Sequence, residues 1–214
     1  MEREVKIPVR EATLDGDLTV PAAARGIVLF VHGSGSSRHS PRNRFVAETL
    51  KDAGLATLLF DLLTPQEEAV DLTTREHRFD INLLAGRLGS AAEWMEQQAE
   101  GRSLRIGYFG SSTGGGAALV EAAAHPERVG AVVSRGGRPD LAGAALPKVQ
   151  APTLLIVGGR DDVVSRLNRE AMAQMRCEVK LEIIPGATHL FEEPGTLDEV
   201  ARLASAWFVQ HLQE

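Results

Sequence analysis

A glycine-rich pentapeptide, Gly110-Ser111-Ser112-Thr113-Gly114, has the spacing G-x-S-x-G. It follows an apolar run over residues 104–109 and precedes small residues that favour a helix. On such a sharp strand-to-helix turn the central serine presents its hydroxyl, and the flanking glycines let the chain reverse without clashes. Ser112 is therefore a candidate nucleophile. For the pentapeptide alone, an ordinary serine helix cap is an equally good interpretation.

A serine hydroxyl is a weak nucleophile, so it needs a histidine base and a carboxylate that orients the base. Asp161 and His189 each come directly after a later apolar run, in that chain order. Because the carboxyl ends of parallel strands meet at one edge of a sheet, we expect both side chains to converge with Ser112. Asp162, one residue further along, is the nearest alternative to Asp161.

The segment Phe30-Val31-His32-Gly33-Ser34-Gly35 ends another apolar run. A loop at this position supplies one backbone N–H to an oxyanion hole, and the residue after the nucleophile supplies the other. We expect these donors to be Ser34 and Thr113. His32 is expected to support the loop rather than to react.

Arginines follow several of the predicted strands. A guanidinium group can bind a carboxylate or phosphate through two parallel hydrogen bonds, and we expect Arg42 and Arg135 to bind an anionic part of a substrate. The full set is Arg38, Arg42, Arg44, Arg135, Arg138 and Arg160. The alternative is that they pair with acids of neighbouring loops, namely Glu67, Glu68, Asp71, Glu192 and Glu193.

Composition restricts the class of protein. The 214 residues carry a net charge of −6, which disfavours nucleic-acid binding, and no apolar run is long enough for a signal sequence or a membrane span. The lone Cys177 and the absence of zinc, P-loop or dinucleotide motifs predict no metal and no organic cofactor. We expect a single cytoplasmic domain over residues 1–214 that acts on a small molecule. The sequence does not indicate an oligomeric state.

The elements that position these residues alternate between strands and helices, which predicts a mostly parallel α/β sheet with helices on both faces. Residues Glu4–Arg10 and Ala12–Val20 should form an edge hairpin, with a turn at Asp15-Gly16-Asp17. The predicted central strands are Ile27–Val31, Ala56–Phe60, Leu104–Phe109, Gly130–Val133, Thr153–Val157 and Val179–Ile184.

Helices are expected near residues 42–53, 79–99, 113–124, 163–175 and 196–212. Ser40-Pro41 should start the first helix, and Thr196-Leu-Asp-Glu199 should form a capping box on the last. Leu62–Arg78 is predicted to be an irregular segment beside the site. The short interval between Gly130 and Asp161 leaves little room for a large lid.

In combination, these motifs resemble the dienelactone-hydrolase-like branch of the α/β-hydrolase superfamily over nearly the whole chain. The resemblance rests on His32–Gly35, Gly110–Gly114, Leu154–Asp161 and Pro185–Phe191. The segment Ser134–Leu141, Ser-Arg-Gly-Gly-Arg-Pro-Asp-Leu, is similar to bacterial small hydrolases that are sometimes joined to a phosphoribosyltransferase-like domain.

The resemblance implies an α/β-hydrolase fold and acyl transfer to Ser112, with His189 as base and Asp161 as the orienting acid. True dienelactone hydrolases use a cysteine nucleophile, whereas this elbow carries a serine, which argues against dienelactone as the substrate. An ester of a small molecule is the expected substrate. A thioesterase, an amidase and a non-catalytic binding protein of the same fold remain alternatives.

Overall fold

The computed structural model describes residues 1–10 and 12–212 and is built around one eight-stranded sheet. The strands are β1 (Glu2–Val9), β2 (Ala12–Thr19), β3 (Gly26–Val31), β4 (Ala56–Phe60), β5 (Arg105–Ser111), β6 (Val129–Arg135), β7 (Thr153–Gly158) and β8 (Val179–Ile184). Their order is β1-β2-β4-β3-β5-β6-β7-β8. In this spatial order, every neighbouring pair from β4 to β8 is parallel. The pairs β1–β2 and β2–β4 are antiparallel. The expected mostly parallel sheet is confirmed.

The edge hairpin forms, but its expected turn is wrong. Asp15, Gly16 and Asp17 lie in the middle of β2, opposite residues 4–6 of β1. A Cβ on Gly16 would lie 3.1 Å from a Val5 methyl and 3.2 Å from Phe60 Cβ, so glycine here permits close packing rather than a turn. The chain reverses between Val9 and Ala12, and Glu11 lies outside the described residues.

The central strands are buried on both faces, because helices cover the sheet on each side. All residues of β3, β4, β6 and β7 are buried. One apolar core contains Leu29, Tyr108 and Val132, and the other contains Phe30, Phe109 and Val133. Neighbouring residues of one strand therefore face opposite cores, as the period of two requires.

Six α-helices accompany the strands in the described part of the chain. They are α1 (Pro41–Asp52), α2 (Pro65–Thr74), α3 (Ile81–Gln97), α4 (Thr113–Ala124), α5 (Asp162–Met172) and α6 (Thr196–Leu212). Ser40 caps α1 as predicted, because its side chain accepts the Asn43 N–H at 3.4 Å. The apolar stripe of α6, including Val200, Trp207 and Phe208, packs into the core on its side of the sheet.

Two expectations about helix starts need correction. The predicted irregular segment contains α2, which begins with a true capping box: Thr64 accepts the Glu67 N–H, and the Glu67 carboxylate accepts the Thr64 N–H. The capping box expected at Thr196 does not form. Its hydroxyl donates to the Glu193 carbonyl at 2.7 Å instead, and the Glu199 N–H donates to the Gly195 carbonyl.

The connection between β6 and β7 is short. It contains two short 3-10 turns within Pro139–Lys148, separated by the non-helical Gly143, and no large lid. Within the described residues, no helix is both long and apolar enough to cross a bilayer. The segments that follow the carboxyl ends of the parallel strands carry the candidate site, and among them the segment after β4 contains α2.

Candidate active site

Ser112 stands at the turn between β5 and α4 with a strained backbone. Its φ of 51° and ψ of −121° lie where non-glycine residues are rare, and such strain is typical of functional turns. Ser112 is the residue that precedes α4, yet its side chain makes no capping hydrogen bond. The helix-cap interpretation of this serine is therefore wrong, and its hydroxyl is not used by the helix.

The two glycines of the motif are required by the close approach of neighbouring backbone. A Cβ on Gly110 would lie 2.6 Å from the Gly114 carbonyl oxygen. A Cβ on Gly114 would clash with the carbonyl oxygens of Val31 and His32. The sharp turn at the serine thus depends on the absence of side chains on both sides of it.

The end of β6 and the residues just after it hold the backbone of Ser112 through two hydrogen bonds. The Ser112 N–H donates to the Arg135 carbonyl at 3.2 Å, and the Ser112 carbonyl accepts the Arg138 N–H at 3.0 Å. Two glycines between these arginines allow the segment to wrap round the turn, and Gly136 has a φ of 51°. The Ser134–Leu141 segment therefore forms the support of the elbow.

Asp161 and His189 meet as predicted. His189 Nδ1 lies 2.6 Å from Asp161 Oδ2, and because a carboxylate only accepts, the imidazole donates its Nδ1–H. The other oxygen of Asp161 accepts the Val164 N–H at 3.4 Å and so caps α5. The alternative acid, Asp162, lies in the first turn of α5 and makes no hydrogen bond to His189 within the described structure.

His189 lies beside the same β6 end that supports the nucleophile. A Cβ on Gly136 would lie 3.2 Å from the His189 carbonyl oxygen and 3.5 Å from its Nδ1, so Gly136 and His189 are close neighbours. Among the described residues, no hydrogen bond joins the Ser112 hydroxyl to His189. Such contacts are often long or poorly aligned without substrate, so the missing hydrogen bond does not argue against the pair.

The loop after β3 contacts the elbow through Ser34. Its backbone N–H donates to Thr113 Oγ1 at 3.1 Å, and its hydroxyl donates to the Arg78 carbonyl at 3.0 Å. As the first residue of α4, Thr113 has no earlier carbonyl of its own helix to receive its N–H. The two expected oxyanion donors therefore lie side by side, with the Ser34 N–H already bonded to the threonine hydroxyl.

His32 supports this loop, as expected. It is 7% exposed, its Nε2 accepts the Leu62 N–H at 3.1 Å, and its Nδ1 lies 3.0 Å from the Gly33 carbonyl. These two contacts require a neutral ring with the proton on Nδ1. Burial lowers the pKa of His32, which stabilises this neutral form.

Most of the arginines near the site pair with acids, but not with those expected. Arg38 binds Asp61, Arg44 binds Asp17 at 2.7 Å, and Arg138 binds Asp140 at 2.7 Å. Of the expected pairs, Arg42 with Glu192 is present at 3.4 Å. Glu67 and Asp71 bind other arginines instead, Arg87 and Arg78.

Arg135 differs from the others because it is buried and has no acidic partner. It is 6% exposed, its Nη2 lies 3.4 Å from Asn43 Oδ1, and its guanidinium carbon lies 5.8 Å from the centre of the Phe191 ring. Burial, together with the charge of Arg42, lowers the pKa of Arg135 to about 10. The guanidinium remains charged at neutral pH in a setting that disfavours the charge.

Sequence reasoning missed the contacts that hold the predicted residues. Asn43 accepts a hydrogen bond from the Ser111 hydroxyl at 3.0 Å, which joins α1 to the elbow. The Asp71 carboxylate accepts the N–H groups of His77 and Arg78, which fixes the end of α2 beside the Ser34 loop. Thr64-Pro65-Gln66-Glu67 was the available signal for α2; nothing in the sequence singles out Asn43.

The dienelactone hydrolase family model matches residues 14–211. A crystal structure of a dienelactone hydrolase from Anabaena variabilis superposes with a TM-score of 0.97 at 60% identity, covering 99% of this chain and 98% of that one. An α/β serine hydrolase without a lid from Xanthomonas campestris superposes with a TM-score of 0.79 at 19% identity, over 100% of this chain and 96% of that one. The second likeness shows the fold alone.

Curated relatives are longer. A Mycobacterium tuberculosis protein that carries the name phosphoribosyl transferase is 59% identical over 211 residues, which is 99% of this chain and 47% of the relative. The chain thus spans about half the length of the curated relatives it matches most strongly. A second M. tuberculosis protein, named as uncharacterized, is 27% identical over 92% of this chain and 74% of its own length.

Proposed function

We propose that this chain, which belongs to the dienelactone hydrolase family, is a serine hydrolase that cleaves an ester or related acyl bond of a small substrate through Ser112, His189 and Asp161. The observation that carries the proposal is the Asp161–His189 hydrogen bond beside a serine in a strained elbow. The strained serine makes no helix cap, and the histidine is already oriented by a carboxylate. Both features have a direct use in nucleophilic catalysis.

The proposed reaction begins with His189. Because Nδ1–H is donated to Asp161, Nε2 carries the lone pair and can accept the Ser112 proton as Oγ attacks the carbonyl carbon. The tetrahedral oxyanion would be stabilised by the Thr113 N–H at the start of α4. The Ser34 N–H can contribute once the oxyanion replaces the Thr113 hydroxyl as its acceptor.

Collapse of this intermediate expels the alcohol, which takes the proton from His189, and leaves an acyl group on Ser112. A water molecule then attacks the acyl carbonyl while Nε2 accepts its proton. The second tetrahedral intermediate releases the acid, and the proton on His189 returns to Ser112 Oγ. The short β6–β7 connection leaves the site open, which favours small substrates over long lipid chains.

A thioesterase and an amidase would use the same residues, and the geometry does not separate them. The name phosphoribosyl transferase belongs to relatives of which this chain matches 47%, so that activity can reside in their remaining length. The contacts within this chain, which corresponds to the other half of those relatives, support hydrolysis. A non-catalytic binding protein would have no use for both the elbow strain and the acid–histidine pair.

Covalent labelling tests the proposal. A fluorophosphonate probe should label the wild type and fail to label Ser112→Ala, and the same variant should lose hydrolysis of p-nitrophenyl acetate. Ser111→Ala is the matched control, since it removes the neighbouring hydroxyl, which donates to Asn43, and should still be labelled. Labelling of Ser112→Ala would refute the assignment, and an unlabelled, inactive but folded wild type would favour a binding protein.

A further inference from the structure

Asn168 is a polar side chain in the middle of the buried face of α5. It is fully buried and lies between Val164 and Ala171, which are apolar and share its face. Its Nδ2 donates two hydrogen bonds, to the Gly137 carbonyl at 3.0 Å and to the Val164 carbonyl at 2.8 Å. Among the described residues, its Oδ1 has no hydrogen-bond partner. Such burial costs stability and asparagine is a poor helix former, which points to a use for the contact outside α5.

This contact reaches the nucleophile through one peptide group. The Gly137 carbonyl accepts from Asn168, and the N–H of the same planar peptide unit is that of Arg138. That N–H donates to the Ser112 carbonyl at 3.0 Å. Successive hydrogen bonds polarise one another, so the bond from the amide strengthens the peptide N–H as a donor. Asn168 therefore fixes the peptide that holds the backbone of the nucleophile.

The other side of this peptide packs against α4. A Cβ on Gly137 would clash with Ser134 Oγ, and a Cβ on Gly115 would lie 3.1 Å from Gly137 Cα. Gly115 belongs to the first turn of α4, directly after the elbow. The peptide thus lies between α4 and Asn168, and loss of the amide would leave it supported from one side only.

The same helix carries the acid that orients the base. Asp161 caps α5, because its carboxylate accepts the Val164 N–H while it also binds His189. The Val164 carbonyl accepts from Asn168. About two turns of α5 therefore separate the acid from the amide that supports the elbow. The position of this one helix sets the spacing between base and nucleophile.

We propose that Asn168 is a positioning residue: by holding the Gly137–Arg138 peptide, it keeps the Ser112 elbow aligned with the catalytic base. The proposal rests on the proposed function, because it assigns a role in presenting Ser112 for attack. Both hydrogen bonds of Asn168 go to backbone carbonyls, so it acts through the elbow and not on the substrate. In the competing structural role, the amide only stabilises the packing of α5.

Two variants remove the contact in different ways. Asn168→Leu keeps most of the volume and loses both hydrogen bonds. Asn168→Ser can still bond the Val164 carbonyl one turn back, but its side chain is too short to reach Gly137. Ala171→Gly is the matched control, because it weakens the same buried face of α5 and leaves the hydrogen bond to Gly137 in place. Thermal unfolding shows which variants fold, and either Asn168 variant suffices for the test.

Amide hydrogen exchange measures the support without catalysis. In both Asn168 variants the Arg138 N–H should exchange about tenfold faster relative to the Val132 N–H, because its peptide has lost one of its two hydrogen bonds. Val132 lies in β6 and donates to the Pro152 carbonyl, so it serves as the reference for global unfolding. Ala171→Gly should leave the ratio of the two rates within about twofold. An unchanged ratio in the Asn168 variants would overturn the proposal.

Kinetics tests whether this support matters for attack. With p-nitrophenyl acetate, the Asn168 variants should lower kcat about 10- to 100-fold and leave KM within about twofold, as expected for a misplaced nucleophile. Fluorophosphonate labelling of Ser112 should slow by a similar factor. Ala171→Gly should keep kcat per folded molecule within about twofold. A purely structural role would lower the midpoint of thermal unfolding and leave kcat per folded molecule unchanged, which would also overturn the proposal.

The two proposals can fail separately. Suppose that the wild type neither hydrolyses the ester nor reacts with the probe, while the Arg138 exchange ratio rises in the Asn168 variants. This result would reject the hydrolase and keep Asn168 as the support of the elbow. An active wild type whose kcat does not respond to the Asn168 variants would reject the positioning role and keep the hydrolase.

Discussion

The hydroxyl of Thr113 accepts the backbone N–H of Ser34 at 3.1 Å and lies 3.0 Å from the Ser34 hydroxyl. The first residue of α4 is thereby joined to the loop that follows β3. The contact holds the two expected oxyanion donors together before substrate arrives. It also means that the side chain and the backbone of Thr113 have different tasks, which can be separated by mutation.

Thr113→Val should change kcat for a short ester by less than about tenfold. Valine keeps the backbone N–H, which is the expected oxyanion donor, and a single lost donor costs about 100- to 1000-fold. Steady-state kinetics measures the change. A loss of 100-fold or more would show that the threonine hydroxyl, rather than the N–H, carries the effect.

Asp161→Asn should lower kcat by about two to four orders of magnitude, because the amide cannot hold the imidazole with the same charge and tautomer. Asp162→Asn should have little effect on kcat and cost about 0.3–1 kcal/mol of stability, since Asp162 only complements the amino end of α5. Kinetics with one ester and urea unfolding test both variants. The reverse result would transfer the acid role to Asp162.

Two glycines of α3 should respond oppositely to alanine. Gly86 is exposed, and a Cβ added to it would meet no atom within 4 Å, so Gly86→Ala should raise the free energy of unfolding by about 0.5–1 kcal/mol. At Gly89 the Cβ would lie 2.8 Å from the buried Glu121 carboxylate, and Gly89→Ala should destabilise by about 1–3 kcal/mol. Equal urea midpoints for the two variants would contradict this packing.

Stability in acid should depend on Asp71. Burial alone would raise its pKa, but the hydrogen bonds from the Arg78 and His77 N–H groups and from the Arg78 side chain outweigh burial and lower it. A lowered folded pKa contributes stability above the ordinary value, about 3.9, and that stability is lost as the pH falls through the lowered pKa. Asp71→Asn should therefore lower the urea midpoint at pH 6 more than at pH 2.5. Equal losses at both pH values would contradict the ionic role.

The mostly parallel sheet and the contact between Asp161 and His189 could be predicted from the sequence, because parallel strands place their carboxyl ends at one edge. Local residue preferences were a poorer guide to individual segments than the alternation of strands and helices. Asp15-Gly16-Asp17 has the composition of a turn, yet it lies in a strand because the glycine packs against Val5 and Phe60. Tertiary contacts overrode the local preference there.

The partners of the arginines could not be read from the sequence, because they depend on which loops meet. Asp17 comes from β2 and Asp61 follows β4, yet both lie beside α1 and bind Arg44 and Arg38. The isolation of Arg135 is likewise a property of the assembled fold. By contrast, α2 was predictable, since the residues of its capping box, Thr64 and Glu67, lie three positions apart in the sequence.

Asp161 divides its two oxygens between the imidazole of His189 and the first turn of α5. One carboxylate therefore links the helix start to the orientation of the base, so a shift of α5 would turn the ring as well. Asparagine is as good a helix cap as aspartate, whereas alanine is about 1 kcal/mol worse. The stability difference between Asp161→Asn and Asp161→Ala thus isolates the helix contribution, and the activity lost in Asp161→Asn alone isolates the charge.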